Sequence, residues 1–406
     1  MVNIAADALV LAWRFGPGQP MWITIAFIST AALFVGLTMA TLHHQRWARR
    51  LPALDALPAP ADGLPTSAVR CSVIVAARDE EARLEATVRH LLAQRHVTLE
   101  VIVVDDRSTD ATGDILRRLA SEDTRVRAAR VEHLPEGWLG KSHACHVGAS
   151  VATGDWLLFT DADCWLKPDV IARALRVAAR DAADYITLTP GVAAETLGAQ
   201  AWHLAFLGSL ANWISGVNRD RPGAHLGIGA FNLVRTSAYR ACGGYEALRL
   251  TIVDDIKLGL LLHRAGRRTR AFLGGADVEC HWGTTVPRMI KIMEKNYFAA
   301  VDFRLAPVVA GAIVFTLIFG TSIIGLWTRT AAGIAAGLAP WSLALPAAIF
   351  ARRLGWSPAS AAITPLLYPV LFFAVVNSAV VTLRQGGVRW RDTFYSLDTL
   401  RRGNVR

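Results

Sequence analysis

The sequence predicts an α/β domain with a mainly parallel sheet, joined to transmembrane helices. Short, continuous runs of apolar and β-branched residues alternate with a helical pattern between residues 70 and 300, and longer uncharged apolar stretches lie on both sides. Strands of a parallel sheet are buried on both faces and therefore appear as unbroken apolar runs. The 53% hydrophobic content of this 406-residue chain is concentrated in these two kinds of segment.

Four stretches carry no charged side chain and are long enough to cross ~30 Å of hydrocarbon as helices. They are Met21–Leu42, Leu305–Thr328, Thr330–Ala351 and Ala359–Leu383. The first is too long for the core of a signal peptide, and no small-residue cleavage pattern follows it. We therefore expect an N-terminal anchor with its basic flank at 1–50, and a C-terminal region at 301–383 with two to three spans.

The charges next to the anchor predict its orientation. Arg46, Arg49 and Arg50 follow it, whereas Arg14 precedes it and is offset by Asp7. Because positive residues stay on the cytoplasmic side, the N-terminus should face out. The sequence thus predicts an integral membrane protein, of the bacterial inner-membrane type, with the α/β domain in the cytoplasm.

The basic tail at 384–406 conflicts with a simple count of crossings. Three C-terminal crossings would place it outside, but its arginines favour the cytoplasm. Pro340 and Pro346 interrupt the Thr330–Ala351 stretch, so this stretch is the one we expect to re-enter without crossing.

The formal net charge of +10 permits two classes of partner, nucleic acid or anionic lipid. The basic residues flank apolar stretches and form no patch with interleaved aromatic residues, so the sequence predicts a membrane partner and no nucleic acid. The five cysteines are odd in number and include no CxxC pair, which is typical of reduced cytosolic thiols.

The catalytic domain is predicted at 70–300, after a Pro- and Ala-rich linker at 51–69. Cys71–Ala77 and Leu99–Asp105 are predicted strands, and Arg78–Gln94 between them is a predicted helix. Together they form a parallel βαβ unit. Asp155–Thr160 is the third predicted strand.

Acidic residues follow these strands at the edge where a parallel sheet binds ligands. Asp161 and Asp163 stand one residue apart, and both can hold one hard cation, Mg²⁺ or Mn²⁺, that also takes up diphosphate oxygens. Two aspartates in a solvated turn are the alternative. Asp105 and Asp106 can accept hydrogen bonds from a nucleoside, or the segment can serve only as the start of the helix at 111–119.

Two further segments carry candidate residues. Lys141 ends a double-glycine loop that begins at Gly137, and it is either a phosphate-binding cation or a surface lysine. Asp254 and Asp255 precede an apolar helix. They either stabilise its N-terminal end or supply a general base for an acceptor hydroxyl, because adjacent acids can raise each other's pKa.

Two segments have a structural and a functional interpretation. Ala201–Val217 is apolar and is either an interfacial helix that admits a lipid or an ordinary core helix. His143 and His146 have helical spacing, but without a third ligand we favour structural histidines over a zinc site.

Several motifs together resemble the family 2 glycosyltransferases of the GT-A fold. They are SVIVAARDEE, VVDDRSTD, GDWLLFTDADC, GGY and VDDIKLG, and GWLGK, EKNY and WRDTFY resemble the membrane-bound branch that acts on carotenoids, ceramide and hopanoid-associated lipids. The resemblance implies that Asp106 contacts the nucleotide, Asp161 and Asp163 the metal and diphosphate, and Asp255 the acceptor proton. It also places Glu80 in the nucleotide pocket.

These observations predict an inverting, metal-dependent transfer from a UDP- or GDP-sugar to a hydroxyl or carboxyl of a lipid acceptor. Donor binding is assigned to Glu80, Asp105, Asp106, Lys141 and Asp161. The alternatives are a processive polysaccharide synthase of the same fold and an inactive membrane scaffold. The QxxRW motif of the former is absent from the sequence, and the acids that the latter would have lost are present.

Overall fold

The computed structural model of the chain describes residues 20–58 and 69–405. Arg14 and Asp7, most of the predicted linker and the last arginine of the tail lie outside the described residues. The chain divides into two compact units. The sheet unit comprises Arg46–Glu195, Ala211–Thr284 and Thr382–Arg406, and the helical unit comprises Met1–Gln45, Thr196–Leu210 and Thr285–Val381.

The elements of the sheet unit alternate between strands and helices along most of its length. They are β1 (Arg70–Ala77), α2 (Leu84–Leu92), β2 (Thr98–Asp106), α3 (Thr112–Glu122), β3 (Val126–Val131), α4 (Gly140–Ser150), β4 (Trp156–Asp161), β5 (Cys164–Leu166), α5 (Val170–Arg180), β6 (Tyr185–Val192), β7 (Asn232–Arg235), α7 (Thr236–Ala241), α8 (Gly244–Ala247), α9 (Asp254–Arg264), β8 (Thr269–Cys280), β9 (Gly387–Trp390), β10 (Thr393–Ser396) and α16 (Leu397–Gly403).

The elements described in the helical unit are α-helices and one 3₁₀ turn. They are α1 (Met21–His44), α10 (Val286–Met293), α11 (Tyr297–Ala300), α12 (Leu305–Trp327), α13 (Ala331–Leu338), a 3₁₀ turn (Ala339–Leu343), α14 (Ala344–Leu354) and α15 (Pro358–Gln385). Helix α6 (Leu197–Asn218) belongs to this unit up to Leu210 and to the sheet unit beyond it.

The sheet has eight strands in the order β3-β2-β1-β4-β7-β6-β8-β5. β1 pairs in parallel with β2 and with β4, and β2 pairs in parallel with β3. The central strands are apolar on both faces of the sheet. Helices α2 and α5 cover one of these faces with residues such as Leu84, Val88 and Val177, all fully buried. The α/β fold with a mainly parallel sheet is confirmed.

The helix predicted at Arg78–Gln94 begins only at Leu84, because the residues before it form a loop that binds a neighbouring loop. Asp79 has φ of 53°, and its Oδ1 accepts a hydrogen bond from the Thr109 N–H at 2.8 Å. Glu81 Oε2 accepts one from the Ala111 N–H at 3.0 Å. These acids join the loops after β1 and β2, and only the part after Leu84 is helical.

The prediction lacks five strands of the sheet, β3 and β5 to β8, and β3 shows one reason. Val126–Val131 forms the edge strand β3, so the strand predicted third is β4. Arginines at two of its six positions break the apolar run that identifies a strand buried on both faces. An edge strand tolerates them, because neither Arg127 nor Arg130 has to enter the core.

The described part of the predicted linker packs on the sheet unit. Arg173 donates hydrogen bonds to the carbonyls of Leu51 and Pro52, at 2.5 and 2.7 Å. Leu51 and Leu57 are buried. The chain is therefore held in place for some residues after it leaves α1.

Four helical segments in the described part of the chain are long and apolar enough to cross a membrane. They are Met21–His44, Leu305–Trp327, Ala331–Leu354 and Pro358–Gln385. The third contains the 3₁₀ turn Ala339–Leu343, at Pro340. Candidate spans are thus present on both sides of the α/β domain in sequence.

Candidate active site

Three parallel strands bring their carboxyl ends to one edge of the sheet. In the register of β1, Ala77 lies opposite Asp105 of β2, and Ala76 lies opposite Asp161 of β4. The candidate residues predicted at these ends are therefore neighbours in space, as expected for a parallel sheet.

The neighbours Asp105 and Asp106 have different surroundings. Asp105 is 1% exposed, and its carboxylate accepts hydrogen bonds from the Ser108 N–H at 3.0 Å and from Arg130 Nη1 at 2.7 Å. Both of its oxygens are engaged in holding the loop after β2. The assignment of Asp105 to donor binding stays a prediction.

Asp106 faces the start of α4. Arg107 binds both of its carboxylate oxygens, at 2.8 and 3.1 Å. A Cβ atom at Gly140 would collide with the same carboxylate. Glycine at this position therefore allows the helix to begin directly against Asp106.

Lys141 lies in the first turn of α4, where the sequence predicted a loop. Its Nζ donates to Asp161 Oδ1 at 2.7 Å and lies 3.8 Å from Asp254 Oδ2. Desolvation opposes the charged form, but the carboxylates of Asp161 and Asp254 outweigh it and raise the pKa of Lys141 well above its ordinary value. This lysine is a permanent cation inside an acidic cluster.

Asp161 and Asp163 flank the buried Ala162 at the end of β4. Burial, and then the charges of Asp161 and Glu80, raise the pKa of Asp163 to about 7. The neighbouring carboxylates thus disfavour the charged form of Asp163, and a divalent cation would relieve this repulsion. Its carboxylate oxygens are the donors that Mg²⁺ and Mn²⁺ prefer, so the residues fit such an ion.

A softer donor set lies beside this cluster. The ligand atoms of Asp163, Cys164 and Cys280 lie within 4.8 Å of one another. Burial raises the pKa of both thiols, so they remain protonated at neutral pH and are poor metal ligands. The oxygen donors of Asp161 and Asp163 are therefore the better match for a metal.

Asp254 and Asp255 both lie in the first turn of α9. Asp254 is 4% exposed and accepts a hydrogen bond from the Tyr245 hydroxyl at 2.8 Å. Asp255 is less buried, and its Oδ2 accepts from the Gly229 N–H at 2.8 Å. Consecutive helical residues point about 100° apart, which explains why their surroundings differ.

Gly229 lies between Asp161 and Asp255. A Cβ atom on it would lie 2.9 Å from Asp161 Oδ2 and 3.6 Å from Asp255 Oδ2. The two carboxylates therefore lie close to each other on either side of Gly229. Burial, followed by the charge of Asp254, raises the pKa of Asp255 to about 6, although Lys141 opposes this shift.

Glu80 completes the acidic cluster from the loop after β1. Its pKa is raised mainly by burial, and Arg391 opposes the rise. Arg391 Nη2 donates to Glu80 Oε1 at 2.6 Å. The sequence interpretation did not include this arginine in the site, since it lies 311 positions further along the chain.

The structure thus brings Glu80, Lys141, Asp161, Asp163 and the pair at the start of α9 into one cluster of charges. Such a cluster can bind a cation, hold an anionic ligand and accept a proton. The glycines beside it stand in the sequence as Gly227-Ile228-Gly229, a pattern typical of tight turns around a pocket.

A model of glycosyl transferase family 2 matches residues 72–243. The 4,4'-diaponeurosporenoate glycosyltransferase of Staphylococcus haemolyticus is 38% identical over 104 residues, which are 26% of this chain and 27% of that protein. Its namesake in Staphylococcus aureus strain USA300 is 35% identical over 101 residues, or 25% of this chain and 26% of the relative. The matched segments thus span about a quarter of these curated relatives.

Among solved structures, a mannosyltransferase from Pyrobaculum calidifontis, determined in complex with GDP-Man and Mn²⁺, has a TM-score of 0.54 to this chain. The identity is 18%, and the similarity covers 89% of this chain and 99% of the mannosyltransferase. At this identity the similarity shows a common fold.

Proposed function

We propose that this chain, whose residues 72–243 match the model of glycosyl transferase family 2 and whose fold is of the GT-A type, transfers a sugar from a nucleotide-sugar to a lipid acceptor. The observation that carries the proposal is the pair of carboxylates on either side of Gly229. Asp161 belongs to the acidic strand end that suits a metal and a diphosphate, and Asp255 belongs to the opposite helix and suits an acceptor. The sites proposed for the two substrates are therefore adjacent.

Asp161 and Asp163 would hold Mg²⁺ or Mn²⁺, and the bound cation would neutralise negative charge on the donor diphosphate. The mannosyltransferase of similar fold was determined with Mn²⁺ and GDP-Man, which agrees with this donor class. Lys141 supplies a second positive charge next to Asp161. Asp106 and Glu80 lie at the adjoining strand ends and contact the nucleoside part of a UDP- or GDP-sugar.

Asp255 is the general base in this proposal. Its carboxylate takes the proton from an acceptor hydroxyl, or the acceptor arrives as a carboxylate that needs no base. The acceptor oxygen then bonds to the anomeric carbon from the side opposite the diphosphate. The bond from that carbon to the phosphate oxygen breaks, and the nucleoside diphosphate leaves with its electron pair. Such a displacement inverts the anomeric configuration.

Asp254 has a supporting role. Its buried carboxylate is engaged by Tyr245 and lies near Lys141, so it fixes the start of α9 and the position of the lysine. Both acids lie in the first turn of α9, and Asp255 is the one that lies next to Gly229 and Asp161.

A lipid acceptor agrees with the candidate membrane spans and with the relatives, which are named for transfer to 4,4'-diaponeurosporenoate. Trp213 is exposed in the C-terminal half of α6, whereas Trp202 is buried in its N-terminal half. The C-terminal half thus presents an aromatic side chain that suits a membrane interface.

The contacts inside the helical unit favour a crossing for residues 331–354. Ala336 packs against Ile23 and Phe27 near the start of α1. Ser342 hydrogen-bonds to Thr38 at 2.7 Å, and Arg353 Nη1 donates to the carbonyl of Gln45 at 3.0 Å. The segment therefore follows α1 from end to end in the same direction. This is the stretch that the two prolines led us to expect to re-enter.

Helix α15 is the better candidate for a segment that does not cross. The segment that follows α15 carries Arg389, Arg391, Arg401 and Arg402, which favour the cytoplasm. With the N-terminus outside, three crossings place this segment in the cytoplasm. We therefore propose three crossings, with α15 as the segment that does not cross.

The donor and acceptor classes can be tested in membranes that contain the full-length protein. These membranes are incubated with labelled UDP- and GDP-sugars, and the lipid phase is extracted and counted. Membranes with the Asp161→Asn variant, at matched expression, serve as the control, because this change removes a donor-side carboxylate whichever acceptor is used. Label in the lipid phase of the wild type alone is the expected result, and equal label in both would contradict the proposal.

A further inference from the structure

The segment after the last apolar helix, interpreted from sequence as a basic tail, folds as a hairpin in the sheet unit. Strands β9 and β10 pair in antiparallel register, with Trp390 opposite Thr393. Arg391 and Asp392 form the two-residue turn, and Arg391 has φ of 53° as hairpin turns of this length require. The hairpin (Gly387–Ser396) is therefore a defined element.

Helix α16 anchors the hairpin to the sheet unit. Leu400 is fully buried and Leu397 is 8% exposed. Gly403 packs against Leu250, where an added Cβ atom would lie 2.5 Å from Leu250 Cδ1. The Leu397 N–H donates to the carbonyl of Gly386 at 2.9 Å, which ties the helix to the base of the hairpin. The turn of the hairpin is thus supported from behind.

The turn binds the loop after β1 through two ion pairs that run in opposite directions. Arg391 Nη2 donates to Glu80 Oε1 at 2.6 Å, and Arg78 Nη2 donates to Asp392 Oδ2 at 2.9 Å. Arg78 and Glu80 are two residues apart in the loop, and Arg391 and Asp392 are adjacent in the turn. This reciprocal pairing fixes the position of the turn more closely than one ion pair would.

A third contact joins the hairpin to the helix that carries Lys141. The hydroxyl of Tyr395 accepts a hydrogen bond from the Gly140 N–H at 3.3 Å. Gly140 is also the residue whose missing side chain makes room for the Asp106 carboxylate. The hairpin therefore contacts two of the segments to which we assign the donor.

We infer that the hairpin is a wall of the site for the nucleoside diphosphate, and that Arg391 and Tyr395 are positioning residues for the donor. The inference rests on the proposed function. Arg391 holds the carboxylate of Glu80 and compensates its charge beside Asp161 and Asp163. Tyr395 holds the first residue of α4, and with it Lys141.

Stability alone gives a weak reason for these contacts. Arg391 is 43% exposed, and ion pairs with exposed partners stabilise a fold little. Its removal should therefore leave the fold intact while Glu80 loses its partner. A positioning role predicts weaker donor binding at unchanged thermal stability, whereas a purely structural role predicts the reverse.

The test uses the full-length protein, purified in detergent with Mn²⁺, and titrates UDP and GDP by calorimetry. Arg391→Ala should weaken the binding of the preferred nucleotide about five-fold, which corresponds to ~1 kcal/mol. Arg391→Lys should recover part of the loss, because it retains the charge but not the fork of the guanidinium. Tyr395→Phe should weaken binding about two-fold.

Arg389→Ala is the matched control. Arg389 lies on β9 of the same hairpin, is exposed, and makes no ion pair with any residue that the structure describes. The Arg389→Ala variant should bind the nucleotide as tightly as the wild type does. Amide hydrogen exchange provides a second measurement, since nucleotide should slow exchange in residues 387–396.

Three outcomes would overturn the inference. In the first, Arg391→Ala and the wild type bind nucleotide equally and exchange in the hairpin does not change. In the second, Arg389→Ala weakens binding as much as Arg391→Ala, which indicates an effect of net charge. In the third, the wild type binds neither nucleotide; the proposed function then fails and the inference fails with it.

Discussion

Replacing Asp255 by Asn removes the proposed base while it keeps the local structure. The asparagine oxygen can still accept from the Gly229 N–H, which lies 2.8 Å from the native carboxylate. General-base catalysis contributes about 10²- to 10⁴-fold, so turnover with an acceptor hydroxyl should fall by a factor in that range. The affinity for donor should change little, because Asp255 lies opposite the strand ends that bind it.

Asp254→Asn is the matched control, with the same chemical change one residue away. The asparagine can still accept from the Tyr245 hydroxyl, and Lys141 keeps its 2.7 Å contact with Asp161. We therefore expect a smaller loss of turnover. Both variants are assayed side by side for sugar transfer in membranes with equal amounts of protein, and donor KM is measured for each. If Asp254→Asn is the inactive variant and Asp255→Asn the milder one, the roles of the two acids are reversed.

Three further predictions concern charge, pH and topology. Lys141→Ala should raise the donor KM more than the acceptor KM, because the lysine is the cation beside Asp161; unchanged donor kinetics would remove it from the site. Activity with an acceptor hydroxyl should fall as the pH drops through about 6, the pKa to which burial and Asp254 raise Asp255, since a base must be deprotonated; a flat profile between pH 5 and 7 would exclude this base. A reporter fused after residue 406 should be active in the cytoplasm, and activity only on the outside would contradict three crossings.

The sequence predicted the fold class well, because its signals are local. Continuous apolar runs identified β1, β2 and β4, and the carboxyl ends of parallel strands must lie at one edge of the sheet. The candidate residues Asp105, Asp106, Asp161 and Asp163 could therefore be proposed as neighbours from sequence. Their chemical roles remain proposals.

Other features depend on contacts that the sequence does not reveal. Asp105 and Asp106 are adjacent acids, and alternation along the strand decides which one faces the loop and which one faces α4. The pairing of Arg391 with Glu80 joins distant parts of the chain. A hairpin within an arginine-rich segment has no apolar run, so its β9 and β10 strands were interpreted as a tail.

The membrane region shows a third kind of contact that the sequence does not reveal. Pro340 and Pro346 were interpreted as signs of a segment that fails to cross. In the structure they lie at or just after a 3₁₀ turn, and the chain on both sides of the turn still contacts α1. Prolines interrupt hydrogen bonding in a helix without reversing its direction. The contacts with α1 therefore favour a crossing by this segment, and the crossing stays a proposal.

The most direct test of metal-dependent transfer at Asp161 and Asp163 measures labelled sugar in the lipid phase before and after the removal of divalent cations. Wild-type membranes should lose transfer in EDTA and regain it with Mg²⁺ or Mn²⁺. Asp161→Asn and Asp163→Asn should remain inactive when the metal is restored, although the variants stay folded in the membrane, because a neutral amide binds these cations poorly. Full transfer by the wild type in EDTA, or by either variant with metal, would contradict the account.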